Sequence, residues 1–284
     1  MQGKTVLVTG ANQGVGKATA IALARKGAHV VIVSRNAAKG AAALAEVQAA
    51  SPQREGELIV ADLSSQAEVR RLAAEFRSRH SGLDVLVNNA GVIVPERHTT
   101  VDGIEETFAV NHLAPMLLTL ELVDLLKASA HARVVTVSSE AHRGASMHWD
   151  DLQFRSHKYR SFKAYGQSKL ANILFTYELA RRLEGTGVTA NALHPGVIGS
   201  GFGQTYPGPL SVLVKLARPF LLTPEEGAAT SVYLASSPEV EGVTGQYFSK
   251  CRPVRSNAVS YDVASQRKLW ALSAEMVSPH AAAA

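Results

Sequence analysis

The feature that most constrains this chain is a set of seven short, continuously apolar runs separated by alanine- and leucine-rich segments. They are TVLVTG (5–10), HVVIVSR (29–35), ELIVADL (57–63), DVLVNNAG (84–91), RVVTVSS (133–139), VTANALHPG (188–196) and GQYFSK (245–250). None alternates apolar with polar residues, as a strand with one wet face would. Each reads as a strand covered on both faces, the habit of parallel sheets. Between them, segments such as 15–26, 38–50, 66–79 and 103–128 carry helical periodicity. Strict alternation of strand and helix predicts a doubly wound, mostly parallel seven-stranded α/β sheet of Rossmann type. Thr223-Pro224-Glu225-Glu226 predicts a helix start by a capping box with proline at the first helical position. The 284 residues, 46% hydrophobic, suffice for a large core and show no repeat or linker, so one domain over 1–284 is expected, with a disordered tail at 279–284.

Composition narrows the function classes. A single cysteine, Cys251, excludes an intramolecular disulfide and fits a reducing compartment. The net charge of +5 comes from scattered lysines and arginines with nothing like a recognition helix, so no nucleic-acid partner is expected. The first apolar run is too short for a signal segment. No stretch reaches the roughly 18–20 apolar residues of a membrane span; the segment 210–222 is broken by Lys215, Arg218 and Pro219. A soluble, cytoplasmic protein is the expectation.

In an open α/β sheet, ligands bind beyond the carboxyl ends of the strands. After the first run comes Gly10-Ala11-Asn12-Gln13-Gly14-Val15-Gly16, opening into a helix. Its glycines let backbone approach a pyrophosphate seated on the helix N-terminus. At the end of the second run stand Ser34 and Arg35, with Lys39 four residues on. A carboxylate there would bond the ribose 2′-hydroxyl of NAD; a guanidinium suits a 2′-phosphate, so NADP(H) is expected over NAD(H). Asp62 and Leu63 end the third run, where an acceptor could reach an adenine amino group, and Asn89-Ala90-Gly91 offer small residues for close approach at the end of the fourth. On these placements residues 1–132 form a cofactor half and 133–278 a catalytic and substrate half.

The segment AYGQSKLANILFTYELARRL (164–183) reads as one helix, apolar round most of its circumference, with Tyr165, Lys169, Asn172 and Thr176 in a single polar stripe. Were such a site to reduce a carbonyl by hydride, it would need a proton delivered to oxygen by an acid poised near neutrality. Free tyrosine, with a pKa near 10, is about three units too weak, or about 4 kcal/mol. An ammonium about 4 Å away supplies about 4 kcal/mol at an effective dielectric near 20. Lys169, one turn from Tyr165, is expected to make up that difference.

Taken together, TGxxxGxG, NNAG, Asn111, the serine pair 138–139, YxxxK and Pro195-Gly196 resemble a short-chain dehydrogenase/reductase over essentially the whole chain. NHLAP (111–115), DLQ (151–153), the 164–183 helix and GTGVTANALHPGV (185–197) resemble the retinol dehydrogenase branch. The resemblance implies Tyr165 as general acid in reduction and base in oxidation, and Ser139, second of its pair, as the hydroxyl that orients the carbonyl. It implies Lys169 as the group that lowers the tyrosine pKa and holds the nicotinamide ribose, and Asn111 as anchor of a water leading to solvent. Pro195, Gly196, Val197 and Ser200 would contact the carboxamide, with Ser200 standing where the family more often has threonine.

The stretch 140–163, carrying His142, Met147, Trp149, Phe154, Tyr159 and Phe162, and the stretch 201–222, carrying Phe202, Tyr206, Pro207, Leu210 and Phe220, are expected to wall a pocket for a lipophilic small molecule. Membrane-bound members of the branch carry an anchor before the first strand, and this chain opens on that strand, so the substrate need not be retinal. His142, His148 and His157 lack metal-ligand spacing, and no metal is expected. The expected function is NADP(H)-dependent interconversion of a carbonyl and its alcohol. The competing reading is a non-catalytic NADP(H)-binding regulator, against which the joint presence of Ser139, Tyr165, Lys169 and Asn111 counts. A carbon–carbon double-bond reductase would commonly space tyrosine and lysine more widely. Because one sheet face cannot cover the whole apolar circumference of 165–184, a homo-oligomer, dimer or tetramer, is expected with a second subunit on its outer side.

Overall fold

The structure, a computed structural model, describes residues 1–53, 55–197 and 222–278. The apolar runs become strands β1 (Thr5–Thr9), β2 (His29–Ser34), β3 (Glu57–Val60), β4 (Val85–Asn88), β5 (Arg133–Val137), β6 (Thr189–His194) and β7 (Tyr247–Ser249). All seven pair in parallel. An eighth, β8 (Arg252–Pro253), returns antiparallel along β7, where seven strands were expected. Two residues with a proline and no apolar run leave no periodicity to read. The order is β3-β2-β1-β4-β5-β6-β7-β8, so the chain reverses direction of travel between β1 and β4, and a crevice opens at their carboxyl ends.

Both sheet faces are covered, as the continuous apolar runs require. Leu7, Val31, Val33, Leu86 and Val134 face one core; Val6, Val8, Val30, Ile32, Val85, Val87 and Val135 face the other. The second face is covered by α1 (Gly14–Arg25), α2 (Ala37–Ala50) and α8 (Pro224–Ser236); the first by α3 (Gln66–Arg79), α5 (Ala114–Glu121) and α7 (Ser161–Arg182). The helical reading over 103–128 breaks into α4 (Glu106–Phe108), a π turn at Ala109–Leu113, α5 and α6 (Val123–Ala128). The capping box forms as expected: Thr223 Oγ1 accepts from Glu226 N at 3.2 Å, and Thr223 N donates to Glu226 Oε2 at 2.8 Å.

The expectation that a second subunit covers α7 loses its footing. The outer side of α7 is covered by this chain's own C-terminal helix, α9 (Val263–Met276). Trp270 stacks on Phe175 with ring centroids 5.8 Å apart, the Arg182 guanidinium lies 4.3 Å over the Trp270 ring, and Arg181 hydrogen-bonds Gln266. His112 completes the seam through Nε2 and Ser273 Oγ, 2.8 Å apart. The apolar circumference of α7 does need a cover, but periodicity could not say which element supplies it. Among the described residues, no helix is long and apolar enough to cross a membrane.

Candidate active site

The glycine-rich turn after β1 is held from the β4 side. Thr9 Oγ1 accepts the N–H groups of Asn89 and Ala90, each at 3.0 Å, and Asn89 Nδ2 donates to the carbonyls of Thr9 at 2.8 Å and Gly10 at 3.3 Å. These contacts leave no room for side chains on the glycines. A Cβ on Gly10, whose φ is 65°, would stand 2.8 Å from the Ala90 Cα, and one on Gly16 2.3 Å from Asn89 Nδ2. Helices α2, α3, α8 and α9 are each capped by a side chain (Asn36, Ser65, Thr223 and Asp262), whereas the Gln13 side chain makes no cap bond to α1 and no acid occupies its first turn. The first N–H groups of α1, beside Gly14 and Val15, are therefore available with the positive end of the helix dipole to an anion such as a pyrophosphate. The donor set fits a dinucleotide.

The remaining expected cofactor residues separate into free and committed groups. Arg35 and Lys39 are exposed beyond the end of β2, and neither takes part in an ion pair among the described residues. Ser34 is buried, with Oγ donating to Asn36 O at 2.9 Å and accepting from Asn36 N at 3.2 Å, so it shapes the Arg35 turn. Asp62 Oδ1 accepts from Ser64 N at 3.0 Å, and Leu63 packs against the core. Asn12 is half-exposed in the turn that leads into α1. Pro195 and Gly196 follow β6, where Gly196 has a φ of 93° and a Cβ would stand 2.3 Å from Leu222 Cδ1; Val197 is 64% exposed. Ser200 and the aromatic set from Phe202 to Phe220 lie outside the described residues.

Residues Ser139, Tyr165, Lys169 and Asn111 come together at the carboxyl ends of β4 and β5. The polar stripe of α7 faces β5: Lys169 Nζ donates to Val137 O at 3.0 Å and Asn172 Nδ2 to the same carbonyl at 3.3 Å. Tyr165 hydrogen-bonds Ser139. The serine pair divides its labour, since Ser138 Oγ donates to Lys169 O at 2.7 Å inside the core and is 1% exposed. Ser139 remains the hydroxyl facing Tyr165, and its Oγ also accepts from Ala141 N at 3.3 Å. Gly91 makes the space for the ammonium: a Cβ there would stand 3.2 Å from Lys169 Nζ and 3.4 Å from Asn111 Oδ1.

Asn111 is placed by the π turn, an irregularity frequent at functional sites. Its Nδ2 donates to Val92 O at 2.9 Å and Ser168 Oγ at 3.0 Å, and its Oδ1 accepts from Val92 N at 2.7 Å. Both amide protons are thus committed to fastening the β4 loop to α7, and one lone pair of Oδ1 is left for the water expected there. Val92 and Val137 take part through backbone groups and were missed as site residues, because a backbone carbonyl has no sequence signature; Thr9, at the end of β1, acts through its hydroxyl.

The electrostatics correct one expectation. Burial pushes the Tyr165 phenol up to about 12, and the Ser139 hydrogen bond only partly opposes the rise. Burial likewise brings Lys169 down to about 8, with the residue 3% exposed. The ammonium was expected to lower the tyrosine; in this structure desolvation wins. Lys169 Nζ lies 5.6 Å from the Tyr165 ring centroid, with its proton directed at Val137 O.

Much of the expected pocket wall is packing. Met147 and Phe154 are buried, the Tyr159 hydroxyl donates to Val94 O at 3.1 Å, and Lys268 lies 5.0 Å over the Trp149 ring. His142 is buried with Nδ1 2.5 Å from Ser139 O, which fixes the turn carrying that serine. Phe162, one turn before Tyr165, is 59% exposed.

A short chain dehydrogenase family model matches residues 4–207. Human retinol dehydrogenase 14 is 47% identical, the alignment covering 98% of this chain and 87% of that one. Among solved structures, an uncharacterized protein from Mycobacterium Paratuberculosis is 35% identical at a TM-score of 0.78, covering 97% of this chain and 94% of its own. The Pseudomonas aeruginosa RhlG/NADP active-site complex is 30% identical at a TM-score of 0.71, covering 87% and 94%. The chain belongs to the short-chain dehydrogenase family, in its retinol dehydrogenase-like branch.

Proposed function

We propose that this short-chain dehydrogenase is an NADP(H)-dependent oxidoreductase that interconverts a lipophilic aldehyde or ketone with its alcohol through Ser139, Tyr165, Lys169 and Asn111. The observation that carries the reading is the convergence of the Tyr165–Ser139 hydrogen bond with a buried Lys169 beside Gly91 and Asn111. A regulator has no need of an ammonium held in the core, where its charge is costly.

A bound nicotinamide cofactor supplies or takes up the hydride and, when oxidised, adds a positive charge. Ser139 Oγ holds the carbonyl oxygen, and Tyr165 OH gives it a proton as it becomes an alkoxide. A phenol near 12 stays protonated at neutral pH and still transfers downhill to an alkoxide, whose conjugate alcohol is about as weak an acid as water, near 15.7. That burial-raised pKa favours the reductive direction. Lys169 would hold the phenol's surroundings positive and would meet the ribose of a bound cofactor, and Asn111 keeps the β4 loop closed against α7 while its free lone pair could hold a water on the way to Lys169. The first N–H groups of α1 would hold the pyrophosphate, and Arg35 with Lys39 would hold a 2′-phosphate.

Two relatives support these choices: the Pseudomonas aeruginosa protein forms an NADP active-site complex, and the human one is a retinol dehydrogenase, retinol being an apolar alcohol. Exposed Phe162 and Val197 at the carboxyl ends offer apolar surface to such a substrate. The test is NADPH consumption over a panel of retinal, aliphatic aldehydes, aromatic ketones and steroids, repeated with NADH. Turnover with NADPH exceeding NADH is expected. NADPH binding with no turnover across the panel would favour the regulator.

A further inference from the structure

At the amino ends of β2 and β3, opposite the candidate active site, three side chains from different elements converge. His29 opens β2, Glu57 opens β3, and His80 caps the C-terminus of α3. The register that pairs Val31 with Glu57 puts His29, two residues before Val31, on the same sheet face as Glu57, and α3 packs on that face. His29 Nε2 lies 2.9 Å and His80 Nε2 3.4 Å from the same atom, Glu57 Oε1, and the three donor atoms fall within 4.8 Å of one another.

We infer that His29, Glu57 and His80 bind a divalent cation of the zinc class, which ties the amino ends of β2 and β3 to the end of α3. The spacing suits the ion: donors at about 2.0–2.1 Å from a tetrahedral Zn²⁺ lie about 3.3 Å from one another. Two imidazoles and one carboxylate are a ligand set for zinc, and leave the fourth position to water. His80 Nε2 is buried and makes no well-formed hydrogen bond, standing 3.4 Å from Glu57 Oε1; a cation between the two would satisfy it. For His29, moving the ring proton to Nδ1, where Glu55 Oε2 lies 3.5 Å away, frees Nε2 and gives the ring the carboxylate partner usual for a metal-bound histidine. Arg79, 3.1 Å from Glu57 Oε2, occupies the other carboxylate oxygen and leaves Oε1 to the ion. A cavity of about 290 Å³, lined in part by Arg79, His80, Ser81 and Asp84, lies on the His80 side of the cluster.

The alternative is an ion-pair cluster of Glu57 with Arg79 and His29 that binds nothing. Isothermal titration of the chelator-treated full chain with ZnCl₂ separates the two. The site predicts one ion per chain, with binding more than tenfold weaker in both Glu57→Gln and His80→Phe, the latter keeping a ring against Phe76. His157→Asn, which alters another histidine–carboxylate pair, should leave binding unchanged. Thermal melts without metal check that the variants fold. Should either fail to fold, X-ray absorption of the zinc-loaded parent decides, with two imidazoles and a carboxylate at the ion expected. Absence of one-to-one binding, binding that survives Glu57→Gln and His80→Phe, or a shell without two imidazoles would overturn the inference.

Discussion

Replacing Lys169 with methionine should separate stability from function. The parent keeps a cation in the core: Lys169 is 3% exposed and its pKa falls from 10.5 to about 8 through burial. At pH 7 that difference corresponds to about 3 kcal/mol of cost for holding the charge folded. Methionine has a similar unbranched length and no charge. The lost hydrogen bond to Val137 O, at 3.0 Å, offsets about 1.5 kcal/mol of the gain. The carbonyl is not orphaned, because Asn172 Nδ2 remains 3.3 Å from it. A net stabilisation of about 1–2 kcal/mol follows, or about 2–6 °C in Tm for a chain of this size. The pH dependence is diagnostic. Between about pH 8 and 10.5 the folded parent binds fewer protons at this residue than the unfolded chain, so its stability from this group rises with pH across that window. The methionine variant lacks the rise, so its advantage should vanish at about pH 9.5 and reverse toward pH 10.5, where the parent keeps its hydrogen bond without the charge penalty. Urea unfolding at pH 7, 8.5 and 10, alongside turnover, reads both effects, with turnover expected to fall hundredfold or more. A variant more than 1 kcal/mol less stable at pH 7, or with the parent's pH slope, would refute the reasoning.

The serine pair offers a second contrast. Ser139→Ala should lower kcat at least hundredfold with little change in Tm, while Ser138→Ala, losing the bond to Lys169 O, should cost about 1 kcal/mol of stability and change kcat by no more than a few-fold, as steady-state kinetics and melts would read. Arg35→Ala should reduce the preference for NADPH over NADH in kcat/KM about ten- to hundredfold, with NADH kinetics little altered. Trp270→Ala, which uncovers Phe175 on the outer side of α7, should destabilise by about 2–3 kcal/mol and lower Tm about 4–10 °C in calorimetry.

Sheet, crossovers and strand-end loops were legible because buried parallel strands and glycine turns leave local marks, and the YxxxK pair because 3.6-residue periodicity places both groups on one stripe. What was not legible came from contacts between distant segments. Nothing in residues 164–183 says that Trp270 and Ser273, nearly a hundred positions on, complete the surface around α7 and His112. The π turn that sets Asn111 has no periodicity of its own, and Val137 and Val92 act through backbone atoms. The pKa of Tyr165 went astray for a related reason: one-turn spacing fixes where Lys169 starts, but burial and the pull of Val137 O decide the outcome. His29, Glu57 and His80 were passed over because spatial convergence from three elements leaves no spacing in the chain.

The central claim, that Tyr165 is the proton donor of a working oxidoreductase, is tested most directly by Tyr165→Phe. NADPH affinity would be measured by fluorescence titration and turnover by absorbance with the best carbonyl substrate of the panel. The account predicts NADPH affinity within a few-fold of the parent and turnover reduced at least thousandfold. Turnover within a few-fold of the parent, with NADPH bound, would contradict it.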